Sequence, residues 1–199
     1  RVIALDFLPE MLDRAALAVK EAGVSNVELV EGEMEAIPRP EASVDLIISN
    51  GVINLSARKA RVMAECARVL RPGGRLCVSD LTVETDDLPP EIATQPAAWA
   101  GCVAGALAEE AFLHKLRQAG FENAEVVYRA PLSIDDCALY PLFSADVIRL
   151  MRSLPAGEFL LGHKNAYGRL PLSPRAPFKR GTREMPPLLL RRREMDLGA

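Results

Sequence analysis

The apolar positions of this chain come in short continuous runs separated by stretches of helical spacing. "RVIALD" (1–6) is an apolar run closed by an acid, the pattern of a buried strand. Pro9 follows as a good first helical residue. Leu8, Leu12, Ala15, Ala16 and Val19 then recur at helical spacing, with Gly23 as the expected C-cap. "NVELVEG" (26–32) and "SVDLIIS" (43–49) read as the second and third strands. "ARKARVMAECARVL" (57–70) is an amphipathic helix with Val62, Met63, Cys66, Val69 and Leu70 on one face. "RPGG" (71–74) predicts a tight turn, and "RLCVSDLT" (75–82) a fourth strand. "EEAFLHKLRQAGF" (109–121) is a further helix and "AEVVYRA" (124–130) a fifth strand. Strands and helices alternating with short links predict an α/β fold with a doubly wound, mostly parallel sheet.

Two apolar segments fit less cleanly. Residues 88–107 read as an interrupted helix, and residues 137–154 as a helix or as a strand followed by a helix. After Leu154 the pattern decays. Five of the fifteen prolines fall between Pro171 and Pro187, interleaved with arginines and without a period. The expected organisation is a partial domain over 1–154 and a Pro/Arg-rich disordered tail over 155–199. The chain opens at Arg1 within a strand-like run, which reads as a fragment or as a chain without its first part.

Charge and cysteine usage narrow the function. From Arg169 onward there are eight basic and three acidic residues, a net of +5, which leaves −8 on the rest of a chain whose net charge is −3. An acidic body argues against a nucleic-acid surface. No apolar run approaches the roughly 18–20 residues of a membrane span. Cys66, Cys77, Cys102 and Cys137 are widely spaced and form no CxxC pair, so they read as reduced thiols of a cytoplasmic protein. His114 and His163 pair with no cysteine at ligand spacing, so no zinc or other metal site is expected. Cys66 and Cys77 read as small buried hydrophobes, Trp99 as a packing residue and His114 as solvated; Cys137 is left open.

The chemistry concentrates at strand ends, where open α/β sheets bind their ligands. Asp6 ends the first strand and is a candidate acceptor of ribose hydroxyls, or a cap for the helix that follows. Phe7 is placed to lie against an adenine ring. Glu33, after the turn-permitting Gly32, is a candidate for an adenine amino group, or part of a plain polar loop. "IISNGVINLS" (47–56) breaks a buried strand into Ser49, Asn50 and Gly51 and turns apolar again at Val52.

Taken in order, the strand-end acid, "GEMEAIP", "VDLIISNGVINL" and "ARVLRPGGRL" resemble the later part of a class I S-adenosylmethionine-dependent methyltransferase. Within that superfamily "ALDFLPEML", "ISNGVINL", "GCVAGAL" (101–107) and "ALYPLF" resemble arsenite methyltransferases. The resemblance covers residues 1–154. It implies a Rossmann-like fold here lacking the first strand and its glycine-rich loop, which grip the methionine part of the cofactor. It implies S-adenosylmethionine as cofactor, held by Asp6, Phe7, Glu33, Met34 and Asn50, with Asn50 at the reacting methyl as the catalytic-site residue.

The implied substrate is a small molecule, arsenite or its thiol conjugate. Trivalent arsenic is a soft, thiol-seeking centre. By resemblance Cys102 is an arsenic-binding cysteine, and Gly51 stands where the family carries another. Two further readings stay open: a methyltransferase for another small molecule, with Gly51 making room for it, and a non-catalytic fragment or pseudoenzyme. Nothing in the pattern sets an oligomeric state.

Overall fold

A computed structural model describes residues 1–83, 88, 90–132, 134–138, 144–153 and 161–169. β1 (Val2–Asp6), α1 (Pro9–Glu21) and β2 (Val27–Glu31) form one βαβ unit. The strands are parallel and in register from Val2 opposite Val27 to Asp6 opposite Glu31. Pro9 occupies the first turn of α1, where its missing N–H has no acceptor to lose. Leu12, Ala15 and Val19 are half-buried, while Leu17 stays 61% exposed.

β3 (Val44–Asn50), α2 (Lys59–Val69) and β4 (Leu70–Val83) repeat the βαβ arrangement. The "RPGG" segment does not separate helix from strand as a free turn. It bulges out of β4 itself, because Val44 pairs with Leu70 while Leu46 already pairs with Arg75. Beyond β4 come α3 (Pro90–Ala93), α4 (Pro96–Ala100), β5 (Leu107–Ala108) and α5 (Glu109–Gln118), so the helix expected over residues 88–107 is reduced to two short helices, and from Gly101 the chain turns into β5. β6 (Glu122–Leu132), α6 (Ile134–Ala138), α7 (Ala145–Ser153) and β7 (Leu161–Arg169) complete the described elements.

The larger sheet has the order β3-β4-β7-β6, with β5 also paired to β4. β7 runs antiparallel to both β4 and β6, and the other pairings are parallel. β7 falls in the segment that the pattern assigns to the tail. "LGHKNAYGR" has little alternation, and the strand forms because backbone ladders hold it on both sides. The remaining tail residues and most of "ALYPLF" lie outside the described residues.

Among the described residues two clusters form the core. Leu76 and Val78 of β4 face Val62, Met63 and Cys66 of α2 and Phe112, Leu113 and Leu116 of α5. A second cluster joins Val83, Ile92, Ala98, Val103 and Ala106 to Val147, Ile148 and Met151 of α7. Each large side chain fully buried there contributes about 2 kcal/mol. Among the described residues β1 pairs only with β2, and β3 only with β4. Ile48 of β3 is 69% exposed and Val2 of β1 is 51% exposed. The doubly wound strands therefore stand as two sheets, with no described strand bridging β1 and β3.

Candidate functional site

The two βαβ units end their strands in polar corners. At the first, Asp6 Oδ1 accepts the Leu8 N–H at 3.0 Å, so one carboxylate oxygen guides the chain into α1. The Asp6 carbonyl accepts the Gly32 N–H at 3.0 Å, which brings the acid of β1 beside the Gly32–Glu33 loop after β2. Phe7 is 58% exposed and Glu33 is exposed, both open to a ligand. Met34 is half-buried and packs on the main core, so its side chain also serves folding.

That loop is clamped to α2 on both sides. Glu65 is 5% exposed, accepts the Ile37 N–H at 3.0 Å and takes two bonds from Arg68, at 2.9 and 2.7 Å. Arg68 in turn donates to the carbonyls of Ile37 and Arg39. The paired guanidinium holds the Glu65 carboxyl below the usual carboxylate range. Near the other end of the loop, Ser56 Oγ donates to Glu35 Oε1 at 2.6 Å and Arg61 Nε donates to the Glu35 carbonyl. Glu35 thus links the loop after β2 to the corner after β3.

At that second corner β3 ends on exposed Asn50, and Gly51 adopts φ +68°, a left-handed conformation that favours glycine. The Gly51 N–H donates to the Ser79 carbonyl at 2.8 Å. A single 3-10 turn, Ile53–Leu55, leads on toward α2. Asn54 is fully buried in it. Its N–H donates to Asp80 Oδ2 at 3.2 Å and its Nδ2 to the Leu81 carbonyl at 2.7 Å. Lys59, 8% exposed, donates from Nζ to the carbonyls of Asn54 (3.2 Å) and Ser56 (2.7 Å), and sits 5.5 Å from the centroid of the Trp99 ring.

Cys102 arrives from the other side. It follows α4 in a turn, not inside a helix, and has φ +62°. Such a conformation strains a residue with a Cβ and persists only where surroundings impose it. The surroundings are visible: the Cys102 thiol donates to the Gly51 carbonyl, Sγ to O 3.0 Å. Three residues on, Gly105 lies so close to the Asn54 carbonyl that an added Cβ would sit 1.9 Å from its oxygen. The structure therefore brings together Gly51 and Cys102, which the sequence singled out separately.

The electrostatics of this corner are unusual for its residue types. Burial, followed by the nearby Asp80 charge, pushes the Cys102 thiol up to about 11, partly offset by the Lys59 ammonium. The resting thiol is therefore protonated at neutral pH, and a soft ligand must displace that proton. Asp80 is 3% exposed. Burial raises its carboxyl to about 6 against backbone N–H donors that pull the other way. Burial also lowers Lys59, opposed by Asp80. A shallow cleft between β4 and α5, with room for about 10 Å³, is lined by Asp80, Thr82 and Phe112 among others.

Cys66 is a core residue pushed up to about 12, and Cys77 is half-buried in β4; with Cys102 they are free thiols. His114 is exposed. Among the described residues no cluster could hold a metal ion, and no helix is long and apolar enough to cross a membrane. Asn54, Lys59 and Asp80 were not picked out from sequence, although two carried a signal. Lys59 is on the stripe of Val62, Cys66 and Val69, and Asp80 shares the inward parity of Leu76 and Val78.

Three comparisons bear on this geometry. The chain is 41% identical over 125 residues to an arsenite methyltransferase of Halobacterium salinarum, which is 63% of this chain and 32% of that protein. It is 37% identical over 120 residues to the arsenite methyltransferase of Aquipseudomonas alcaligenes, 59% of this chain and 34% of that one. The chain thus spans about a third of the length of these curated relatives. Among solved structures it resembles an arsenic(III) S-adenosylmethionine methyltransferase from Chlamydomonas reinhardtii. That match has a TM-score of 0.66 and 31% identity, over 87% of this chain and 56% of that one. The family described as a methyltransferase domain matches residues 1–120. With the strand-end acids and the parallel βαβ units in place, the chain belongs to the methyltransferase domain family.

Proposed function

We propose that this chain is part of an S-adenosylmethionine-dependent methyltransferase of the cytoplasm that acts on trivalent arsenic, with Cys102 as an arsenic-binding thiol. The observation that carries the reading is the seating of the Cys102 thiol on the Gly51 carbonyl, at the C-terminal end of β3. The arsenite methyltransferase relatives support the same substrate. The donor set also fits the cofactor. Asp6 and Glu33 are strand-end carboxylates suited to ribose hydroxyls and an adenine amino group. Phe7 offers an exposed ring and Met34 an apolar edge. Asn50 borders the methyl as the residue nearest the chemistry. S-adenosylmethionine, when bound, supplies an electrophilic methyl on sulfonium sulfur.

The chain's own work is proximity and alignment. Cys102 releases its proton and binds arsenic in exchange for a hydroxide, which leaves as water. The arsenic lone pair is thereby aimed at the methyl. Asp6, Phe7, Glu33, Met34 and Asn50 would hold the cofactor, whose sulfonium sulfur would give up the methyl and keep the bonding pair. Holding both partners in line supplies most of the rate gain, with no acid–base step required of a side chain.

Calorimetry and arsenite titration test this directly. Arsenite should develop a thiolate–arsenic absorption that Cys102→Ser removes, and S-adenosylmethionine binding should weaken in Asp6→Asn. An unchanged absorption in Cys102→Ser would exclude the arsenic role. Gly51 favours a second reading, a methyltransferase for another small molecule: a Cβ there meets nothing within 4 Å, so the corner is open. That reading expects cofactor binding and no arsenic signal.

A further inference from the structure

Lys59 lies in none of the cofactor- or arsenic-binding roles, yet it is a lysine with 8% exposure placed where the two halves of the corner meet. Its ammonium donates to the Asn54 carbonyl at 3.2 Å and the Ser56 carbonyl at 2.7 Å. The Asn54 carbonyl is the same atom against which Gly105 is packed. On the far side the ammonium faces the ring of Trp99, whose Nε1 donates to the Ala93 carbonyl at 3.2 Å. Lys59 therefore touches the segment that carries Gly51 through two carbonyls, and the segment that carries Cys102 through an aromatic face.

We infer that Lys59 is a positioning residue that holds the Cys102 turn against the Gly51 carbonyl and so aims the substrate-binding thiol. The arrangement explains two otherwise costly features. A buried ammonium needs acceptors and a counter-charge, and it has two carbonyls, an aromatic face and the nearby Asp80 carboxylate; Lys115 of α5 is the like charge that opposes it. The left-handed Cys102 needs an imposed partner, and the Gly51 carbonyl stays in reach only while the turn between Gly51 and Lys59 is fixed. Asn54 adds a second tie, through Asp80 and Leu81, that sets the turn against β4, while its carbonyl packs against Gly105 beyond Cys102.

The inference rests on the arsenic reading for its purpose but not for its test. The full chain is treated with iodoacetamide, and the modification rate of each cysteine is followed by peptide mapping. In the parent, Cys102 should react slowly. In Lys59→Met it should react about tenfold faster or more, as expected when a charged hydrogen bond that gates local opening is lost. Lys59→Arg keeps a cation, donors for both carbonyls and a planar face for Trp99, and should restore protection. Cys66, 5% exposed in the main core, is the internal gauge of global unfolding and should stay unreactive throughout. An unchanged Cys102 rate in Lys59→Met, no rescue by Arg, or acceleration of Cys66 in step with Cys102 would overturn the inference. A parallel arm with phenylarsine oxide asks whether the arsenical shields Cys102 in the parent. Absence of shielding counts against the arsenic reading alone and leaves the role of Lys59 standing on the iodoacetamide rates.

Discussion

Asp80→Asn is the perturbation with the most definite consequence, because it acts on a buried carboxyl whose titration is displaced in a known direction. The carboxyl is 3% exposed, shares the inward face of Leu76 and Val78, and accepts the backbone N–H groups of Asn54 and Leu81. Burial raises it from its ordinary 3.8 to about 6. The folded state thus binds this proton more tightly than the unfolded chain. Its contribution to stability is fully present below about pH 4 and is lost as pH rises through 6. At about 1.4 kcal/mol per pH unit the loss is about 3 kcal/mol. Glu65, held low by Arg68, tilts stability the opposite way, so the parent profile alone is not diagnostic.

The difference between parent and Asp80→Asn isolates the effect. Asparagine cannot titrate, and its NH₂ group meets backbone donors badly. The variant should therefore be less stable by about 1–2 kcal/mol at pH 4. That deficit should close and reverse by pH 7, a swing of about 2.4 kcal/mol between pH 4 and 7. Urea unfolding followed by fluorescence of Trp99, the single tryptophan, measures it at pH 4, 5, 6 and 7. A parent-minus-variant difference that stays level across that range would show that Asp80 does not titrate between 4 and 6.

Gly105→Ala drives a methyl to 1.9 Å from the Asn54 carbonyl, and overpacking of this kind should destabilise the chain by about 3 kcal/mol, read as a lowered thermal midpoint. Gly51→Cys has open space for its Cβ and a φ of +68° to tolerate, so about 1–2 kcal/mol of stability should be lost while arsenite affinity rises through a second thiolate beside Cys102. The affinity is read from the thiolate–arsenic absorption, and no gain would mean that position 51 does not face the bound arsenic. Glu65→Gln removes a buried charge from the Arg68 pair and should cost about 1.5–3 kcal/mol, with hydrogen exchange at the Ile37 N–H accelerating beyond that of the core.

The fold was legible wherever burial alone sets the pattern. The stripe of Val62, Met63, Cys66, Val69 and Leu70 is buried as its spacing requires. The alternation of strand and helix gives the two βαβ units because parallel neighbours demand a crossover. β7 was not legible, since strands paired on both sides can form from residues with little alternation. "RPGG" misled for a related reason. Its composition announces a reversal, but whether the reversal separates two elements or bulges from one depends on the partner strand, here Val44 and Leu46 of β3.

The site divides along the same line. Asp6 and Glu33 follow from chemistry and place in the chain, whereas Asn50 and Cys102 take their roles from the family resemblance. Lys59 and Asp80 are less legible because a charged residue on an apolar stripe ordinarily reads as an exception at its edge. Parity argued otherwise: a lysine in line with Val62 and Cys66, and an aspartate in line with Leu76 and Val78, point inward whatever their charge. What no pattern could supply is the meeting of Gly51 with Cys102, 51 residues apart, through a thiol and a carbonyl. The carbonyl is available only because glycine takes a left-handed turn, and the thiol reaches it only from a strained backbone. The strained backbone at Cys102 is costly to keep, so the buried Lys59 and the close packing of Gly105 make sense as the interactions that offset it.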